Sequence, residues 1–201
     1  MYAGHTPLLS NAIDYATRMH YGQKRKNKRE VDYVTHPLEV MQFLKDHGIT
    51  DESVLACAVL HDVVEHTPAT YESLLHLFGK DVTDMVMELT YDRTLPKLER
   101  KLLQVNGIGL KSVGARLVMI GDILSNTREL LEDTPDDWTA DQAKGYIMWS
   151  EHVCRNACKP NDIDLKIRWA IVDHFDNLGA YGTDAFDAAL NAYYDSIREC
   201  T

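Results

Sequence analysis

Several absences narrow the function of this chain before any motif is read. It has four cysteines, at 57, 154, 158 and 200, and no C-x-x-C pair, so nothing resembles a zinc ribbon or a redox dithiol. Cys57 sits inside an apolar run. Cys154 and Cys158, four residues apart, offer two ligands where a structural zinc site takes four. All four read as reduced core or surface thiols. No stretch has the composition of a membrane span or of long disorder, so no membrane contact is expected. The opening Met1-Tyr2-Ala3-Gly4-His5 lacks the basic segment and apolar run of a secretory signal or transit peptide, which makes a cytoplasmic location the expectation. Positive charge is also scarce. A net charge of −10 argues against binding a nucleic-acid polymer, which needs an excess of basic side chains on one face. Sustained period-two alternation, internal repeats and low-complexity linkers are missing too.

What is present is apolar spacing of the helical kind. With 45% hydrophobic residues in a chain of 201, one core and one domain over 1–201 are expected. The fold class reads as all-α, with about ten helices. The first covers roughly 7–21, with Leu8, Leu9, Ala12, Ile13, Ala16 and Met19 facing inward. Pro37 suits the first turn of a second helix that runs to Gly48. Asp51 caps a third, apolar on nearly every side through Val54, Leu55, Ala58, Val59 and Leu60 and continuing through the His61-Asp62 pair. Thr67-Pro68 ends it, because a residue before proline is pushed out of helical geometry. A short helix to Phe78-Gly79 follows, then one through Met85, Val86 and Leu89, then Lys97–Val105. A long helix covers Lys111–Leu131, with Gly114 and Gly121 weakening its continuity. Helices at 139–158, 162–178 and 183–199 complete the chain.

The most informative residues are His61 and Asp62 in L-A-C-A-V-L-H-D-V-V-E-H-T, since adjacent imidazole and carboxylate groups can ligate one metal ion. His36, in T-H-P-L-E-V, and Asp122, in I-G-D-I-L-S-N, are candidate ligands from two other segments. On a continuous helix, His61 stacks with Glu65 and Asp62 with His66, which places two ligands and two acid–base candidates near one point. A site of two histidines and two aspartates fits manganese, zinc or iron, with manganese first. Four protein ligands leave room for water, and the implied chemistry is hydrolysis. The bland alternative is four ordinary core or surface residues. A second unusual feature is Lys24-Arg25-Lys26-Asn27-Lys28-Arg29, a basic run in an acidic chain. It is either a solvated loop or a clamp for a small anionic ligand such as a nucleotide phosphate.

The segments H-Y-G-Q-K-R-K, V-D-Y-V-T-H-P-L-E-V, A-V-L-H-D-V-V-E-H-T, L-P-K-L-E-R-K, K-S-V-G-A-R-L-V-M-I-G-D-I-L-S-N-T-R and D-W-T-A-D-Q-A-K-G-Y-I-M-W-S occur in order over roughly 8–160. Together the series resembles the HD-superfamily hydrolase domain of RelA/SpoT homologues, most closely the small stand-alone alarmone hydrolases of the animal MESH type. The resemblance implies an HD-domain helical bundle and a single-metal, usually manganese-dependent, pyrophosphohydrolase. Its substrate would be a phosphorylated nucleotide, the 3′-pyrophosphate of guanosine tetra- or pentaphosphate. Animal-type relatives also remove the 2′-phosphate of NADPH. By this match His36, His61, Asp62 and Asp122 are the ligands, and Glu65 orients the attacking water. Asn126 lies near metal and ribose. Arg25 and Lys26 clasp base and phosphates, Tyr146 contacts substrate, and Lys97 contacts phosphate. Residues beyond about 175 have no counterpart and would add either to the core or to an oligomer interface.

The chain departs from the family at His66, where H-D-x-x-E-D has become H-D-V-V-E-H. The departure bears on substrate, metal and rate, and it keeps two alternatives open. One is a phosphatase acting on NADPH or another nucleotide. The other is a nucleotide-binding module that has lost catalytic power along with the second carboxylate. Two softer departures, Glu30-Val31-Asp32-Tyr33 before the first ligand and I-G-D-I-L-S-N around the last, retain the ligands themselves.

Overall fold

Apolar residues at helical spacing bury one face of α1 (Pro7–Met19), where Leu9, Ala12, Ile13 and Ala16 are all enclosed, with Leu8 and Met19 at the margin of the core. The computed structural model describes residues 7–25, 30–132, 138–158, 163–180 and 183–198. Lys26, in the basic run, and Cys200 lie outside them. Among the described residues the regular elements are all helices, apart from one isolated antiparallel bridge, Lys24 with Asp32.

The central element is α3 (Glu52–Leu60), in which every residue from Val54 to Leu60 is buried. Asp51 caps it by accepting a hydrogen bond from the Ser53 amide at 2.9 Å. Packed around it are α1, α2 (Thr35–Asp46), α5 (Tyr71–Leu89) and α7 (Val113–Glu132). A helix with apolar residues on all sides is stable only when wrapped in this way.

The expected continuous helix through His61-Asp62 is not formed. It ends at Leu60, and a separate turn, α4 (Val63–His66), begins after Asp62, whose φ of −99° and ψ of −6° open the helical ladder. Side-chain hydrogen bonds compete with the backbone at this point. His61 Nδ1 lies 2.8 Å from the Ala58 carbonyl, and the Tyr33 hydroxyl donates to Asp62 at 2.6 Å. Thr67 then leaves the helix in extended geometry, as its proline neighbour requires.

The two helices expected on either side of Gly79 form one span, α5, broken only by that residue at φ 79°, ψ 175°. Next come α6 (Lys97–Gly107) and a 3₁₀ turn at Ile108–Leu110. α7 runs unbroken through both glycines. A Cβ at Gly114 would lie 2.4 Å from the Met85 sulfur, and one at Gly121 would lie 3.0 Å from Val40 Cγ1. Both glycines therefore serve close packing rather than flexibility. The last helices are α8 (Ala140–Ala157), α9 (Leu165–Asn177) and α10 (Thr183–Arg198). α10 packs on α8, and Ile167, Ile171, Phe175, Leu190, Tyr193 and Ile197 are buried, so the C-terminal helices belong to the core. Among the described residues no helix is long and apolar enough to cross a membrane.

Candidate metal centre and its surroundings

Three elements converge on one point: the first turn of α2 brings His36, the α3–α4 junction brings His61 and Asp62, and the middle of α7 brings Asp122. One ligand atom from each of His36, His61 and Asp62 lies within 4.8 Å of the others. Asp122 Oδ1 stands 2.9 Å from His36 Nε2 and 3.7 Å from His61 Nε2. Asp62 Oδ2 is 3.4 Å from His61 Nε2 and 3.9 Å from His36 Nε2.

The partners of the outer ring nitrogens set which nitrogen faces inward. His61 Nδ1 donates to the Ala58 carbonyl, and His36 Nδ1, 3.2 Å from Ser125 Oγ, donates to a hydroxyl whose own proton goes to Glu39. Each Nε2 is thus left pointing at two carboxylates, and it holds either a shared proton or a metal ion there. Burial opposes charge on His61, but the carboxylates of Asp62 and Asp122 outweigh it and lift its pKa to about 10. Burial likewise opposes ionised Asp122, yet the His36 hydrogen bond and the nearby His61 imidazole hold its carboxyl far below the usual range. The cluster attracts positive charge. His61 Nε2 is also buried with no hydrogen-bond partner. An inward lone pair among two carboxylates is the donor set of a divalent cation with mixed nitrogen and oxygen preference.

Glu65 and His66 flank the cluster. The Tyr91 amide donates to Glu65 Oε1 at 2.6 Å, which pins the carboxylate to the loop before α6, and burial raises its pKa despite that bond. His66 is held by Arg93, whose Nη1 is 2.8 Å from Nδ1, and its Nε2 is 4.0 Å from Asp62 Oδ1. Burial lowers its pKa, with Asp62 opposing and Arg93 adding to the effect. Because the helix breaks at residues 61–62, Glu65 and His66 reach the site from α4 rather than from α3, which ends at Leu60.

A cationic and aromatic wall adjoins the centre. Arg25, 8% exposed, donates from Nε to Glu129 Oε1 at 2.7 Å and from Nη2 to Glu129 Oε2, and Nη2 also reaches Asn126 Oδ1 at 3.2 Å. Asn126 in turn donates to Asp122 Oδ1 at 2.7 Å. The Lys97 ammonium lies 5.9 Å from the centre of the Trp138 ring. Tyr146 packs between Trp138 and Trp149 at 5.5 and 5.4 Å, and burial and the Asp122 charge hold its hydroxyl protonated.

Several residues in this wall carry no signal in the sequence motifs. Lys101 lies over the Trp149 ring at 3.3 Å and 5.0 Å from the Tyr146 ring centre. Burial depresses its pKa to about 7, opposed by Asp122 and reinforced by Lys97 and Arg100. Tyr33, Arg93, Ser125 and Glu129 each hold a candidate site residue in place. Tyr33 and Arg93 were within reach of the sequence only as neighbours of motif residues.

A family model described as an HD domain matches residues 12–110. The chain is 40% identical over 157 residues to the guanosine-3′,5′-bis(diphosphate) 3′-pyrophosphohydrolase MESH1 of Xenopus tropicalis, covering 78% of this chain and 88% of that protein. It is 42% identical over 148 residues to the Homo sapiens protein of the same name, covering 73% and 83%. A solved structure described as a metazoan ortholog of SpoT that hydrolyses ppGpp superposes with a TM-score of 0.82 at 35% identity, over 88% of this chain and 98% of that one.

Proposed function

This chain belongs to the MESH1-type family of HD-domain 3′-pyrophosphohydrolases, and we propose that it removes the 3′-pyrophosphate of guanosine tetra- or pentaphosphate with manganese as its ion. The observation that carries the reading is the convergence of His36, His61, Asp62 and Asp122, with an inward Nε2 on both imidazoles. These four would hold the ion. A divalent cation there supplies Lewis-acid polarisation of a phosphoryl oxygen and makes water easier to deprotonate.

The side chains divide the remaining work. Glu65 receives the proton of the attacking water. One of its oxygens is tied to the Tyr91 amide, and its raised pKa makes it a stronger base than an exposed glutamate. Water adds to the phosphorus bonded to O3′, the O3′–P bond breaks, and O3′ takes a proton as pyrophosphate departs. Arg25 and Lys97, with Lys26, neutralise the pyrophosphate charge. Asn126 and Tyr146 line the ribose side.

The test is a manganese-dependent assay of the full chain on guanosine tetraphosphate, with His61→Ala as the control and chromatography of all products. Pyrophosphate release that disappears in the control is expected. Its absence in the metal-loaded protein would refute the reading, and tight binding without turnover would make the site a binding module. NADPH belongs in a parallel arm because His66 alters the group beside Asp62, and phosphate release there would establish a second activity.

A further inference from the structure

We propose that Arg93 is a positioning residue that fixes His66 as a hydrogen-bond donor to a substrate phosphoryl oxygen, so that Glu65, not His66, is the base of this pair. Arginine can only donate. With Arg93 Nη1 at 2.8 Å, His66 Nδ1 must accept, and the ring proton resides on Nε2. That nitrogen faces Asp62 Oδ1 at 4.0 Å, beyond hydrogen-bonding reach. Its N–H is therefore available to a group that enters beside Asp62.

The rest of the residue is tied down. The Gln23 amide donates to the His66 carbonyl at 2.8 Å, and the Tyr33 ring packs 5.6 Å from the imidazole. Arg93 also donates to the Glu65 carbonyl at 3.3 Å, so one guanidinium spans both residues. A carboxylate at position 66 would accept a hydrogen bond from water or a ribose hydroxyl and would repel phosphate. The imidazole held in this way does the reverse: it offers a proton to a phosphoryl oxygen and removes a negative charge from the substrate's path. The exchange shifts recognition at this point from hydroxyl toward phosphate. Its catalytic consequence rests on the hydrolase reading, but the tautomer and the phosphate contact do not.

Long-range ¹H–¹⁵N spectra of the histidines in the full chain test the first half, with the His66 signals assigned by His66→Asp. The expected result is an unprotonated Nδ1 and a protonated Nε2, a mixture of tautomers in Arg93→Met, and restoration in Arg93→Lys. A protonated Nδ1 in the parent protein, or an unchanged tautomer in Arg93→Met, overturns it. For the second half, inorganic pyrophosphate is titrated into the manganese-loaded protein, which requires no turnover. His66→Asp is expected to weaken binding about tenfold or more, the scale of a lost hydrogen bond to a charged group, and Arg93→Met by less. Unchanged or tighter binding in His66→Asp overturns the phosphate contact. Failure of the parent protein to hydrolyse the alarmone would refute the activity while leaving both measurements readable.

Discussion

Gly145→Ala in α8 tests whether the C-terminal helix α10 truly closes the wall that carries Tyr146. A Cβ at Gly145 would stand 2.2 Å from Tyr193 Cβ, 2.9 Å from Tyr193 Cγ and 3.0 Å from the Ala189 carbonyl oxygen. Carbon atoms rest at about 3.5–4.0 Å, so the gap must widen by more than about an ångström. The obstacle is the root of a buried aromatic side chain and a backbone carbonyl, neither of which can swing away, so α10 itself has to move. Overpacking of this kind costs about 1–3 kcal/mol, and the upper half of that range applies here. Replacing glycine by alanine within a helix returns about 1 kcal/mol. The net loss is about 1–2 kcal/mol, a fall in Tm of roughly 2–8 °C for a chain of this size. Gly114→Ala is the internal control. Its main obstacle is the Met85 sulfur at 2.4 Å, the far part of a flexible thioether that can re-rotate, and the expected change is within about 1 kcal/mol of zero. Both variants are read by thermal unfolding and by KM for the alarmone, since Gly145 adjoins Tyr146. If Gly145→Ala raised Tm by the helix-propensity gain alone, α10 would not pack where it is placed, and the argument would fail.

Other consequences follow from single contacts. Tyr33→Phe removes the hydroxyl that donates to Asp62 at 2.6 Å. Manganese affinity is expected to fall about tenfold or more, as for other partners of metal ligands, and unchanged affinity by calorimetry would dismiss Tyr33 as a support for the ligand. Lys101, with its pKa near 7, is largely neutral at pH 8, and a polyanion beside it raises that pKa. Pyrophosphate binding should therefore take up a proton between about pH 7 and 10, seen as a dependence of binding heat on the buffer's ionisation enthalpy and abolished in Lys101→Met; identical heats in all buffers would refute it. Glu65 must be ionised to act as a base. Its pKa is raised, so turnover should fall on acidification with a midpoint above the ordinary 4.5, and Glu65→Gln should cost about a hundredfold in kcat. A flat acid limb down to pH 4.5 would assign the base elsewhere.

The parts of the fold legible in the sequence are those set by local rules. The buried stripe of α1, the Asp51 cap and the stop at Thr67-Pro68 depend on residues within a few positions of each other. The break at His61-Asp62 was hidden because the residues on both sides favour a helix. The pull on Asp62 comes from Tyr33, 29 positions away. Arg25 was legible as a cation, but its pairing with Glu129 spans 104 positions and no local pattern encodes it. Nothing local in K-L-E-R-K distinguishes Lys101 from its neighbours. Only the packing of α6 on α8 places it over Trp149 and depresses its pKa. Gly114 and Gly121 suggested a weak helix when read by propensity. The closeness of Met85 and Val40 explains why glycine belongs there.

One stripe of α7 joins the two features that the sequence presents separately, the candidate metal ligands and the basic run. Asp122 meets the imidazoles, Ser125 receives His36 Nδ1, Asn126 bonds Asp122 on one side and Arg25 on the other, and Glu129 anchors the Arg25 guanidinium. These residues recur at intervals of three and four, so they line one face of the helix, and a helical rise of about 1.5 Å per residue spreads them over about 10 Å. A rigid helix of this kind fixes how far the Arg25 guanidinium stands from the candidate metal ligands. Loop residues alone could not set that distance, because the ends of a loop tolerate movement that a packed helix does not. The close approach of α7 to α2 at Gly121 serves the same end, since a Cβ there would stand 3.0 Å from Val40 Cγ1 and crowd the contact beside Asp122. The geometry of the candidate site is therefore written into helix packing, and Arg25 registers the start of the basic run against it.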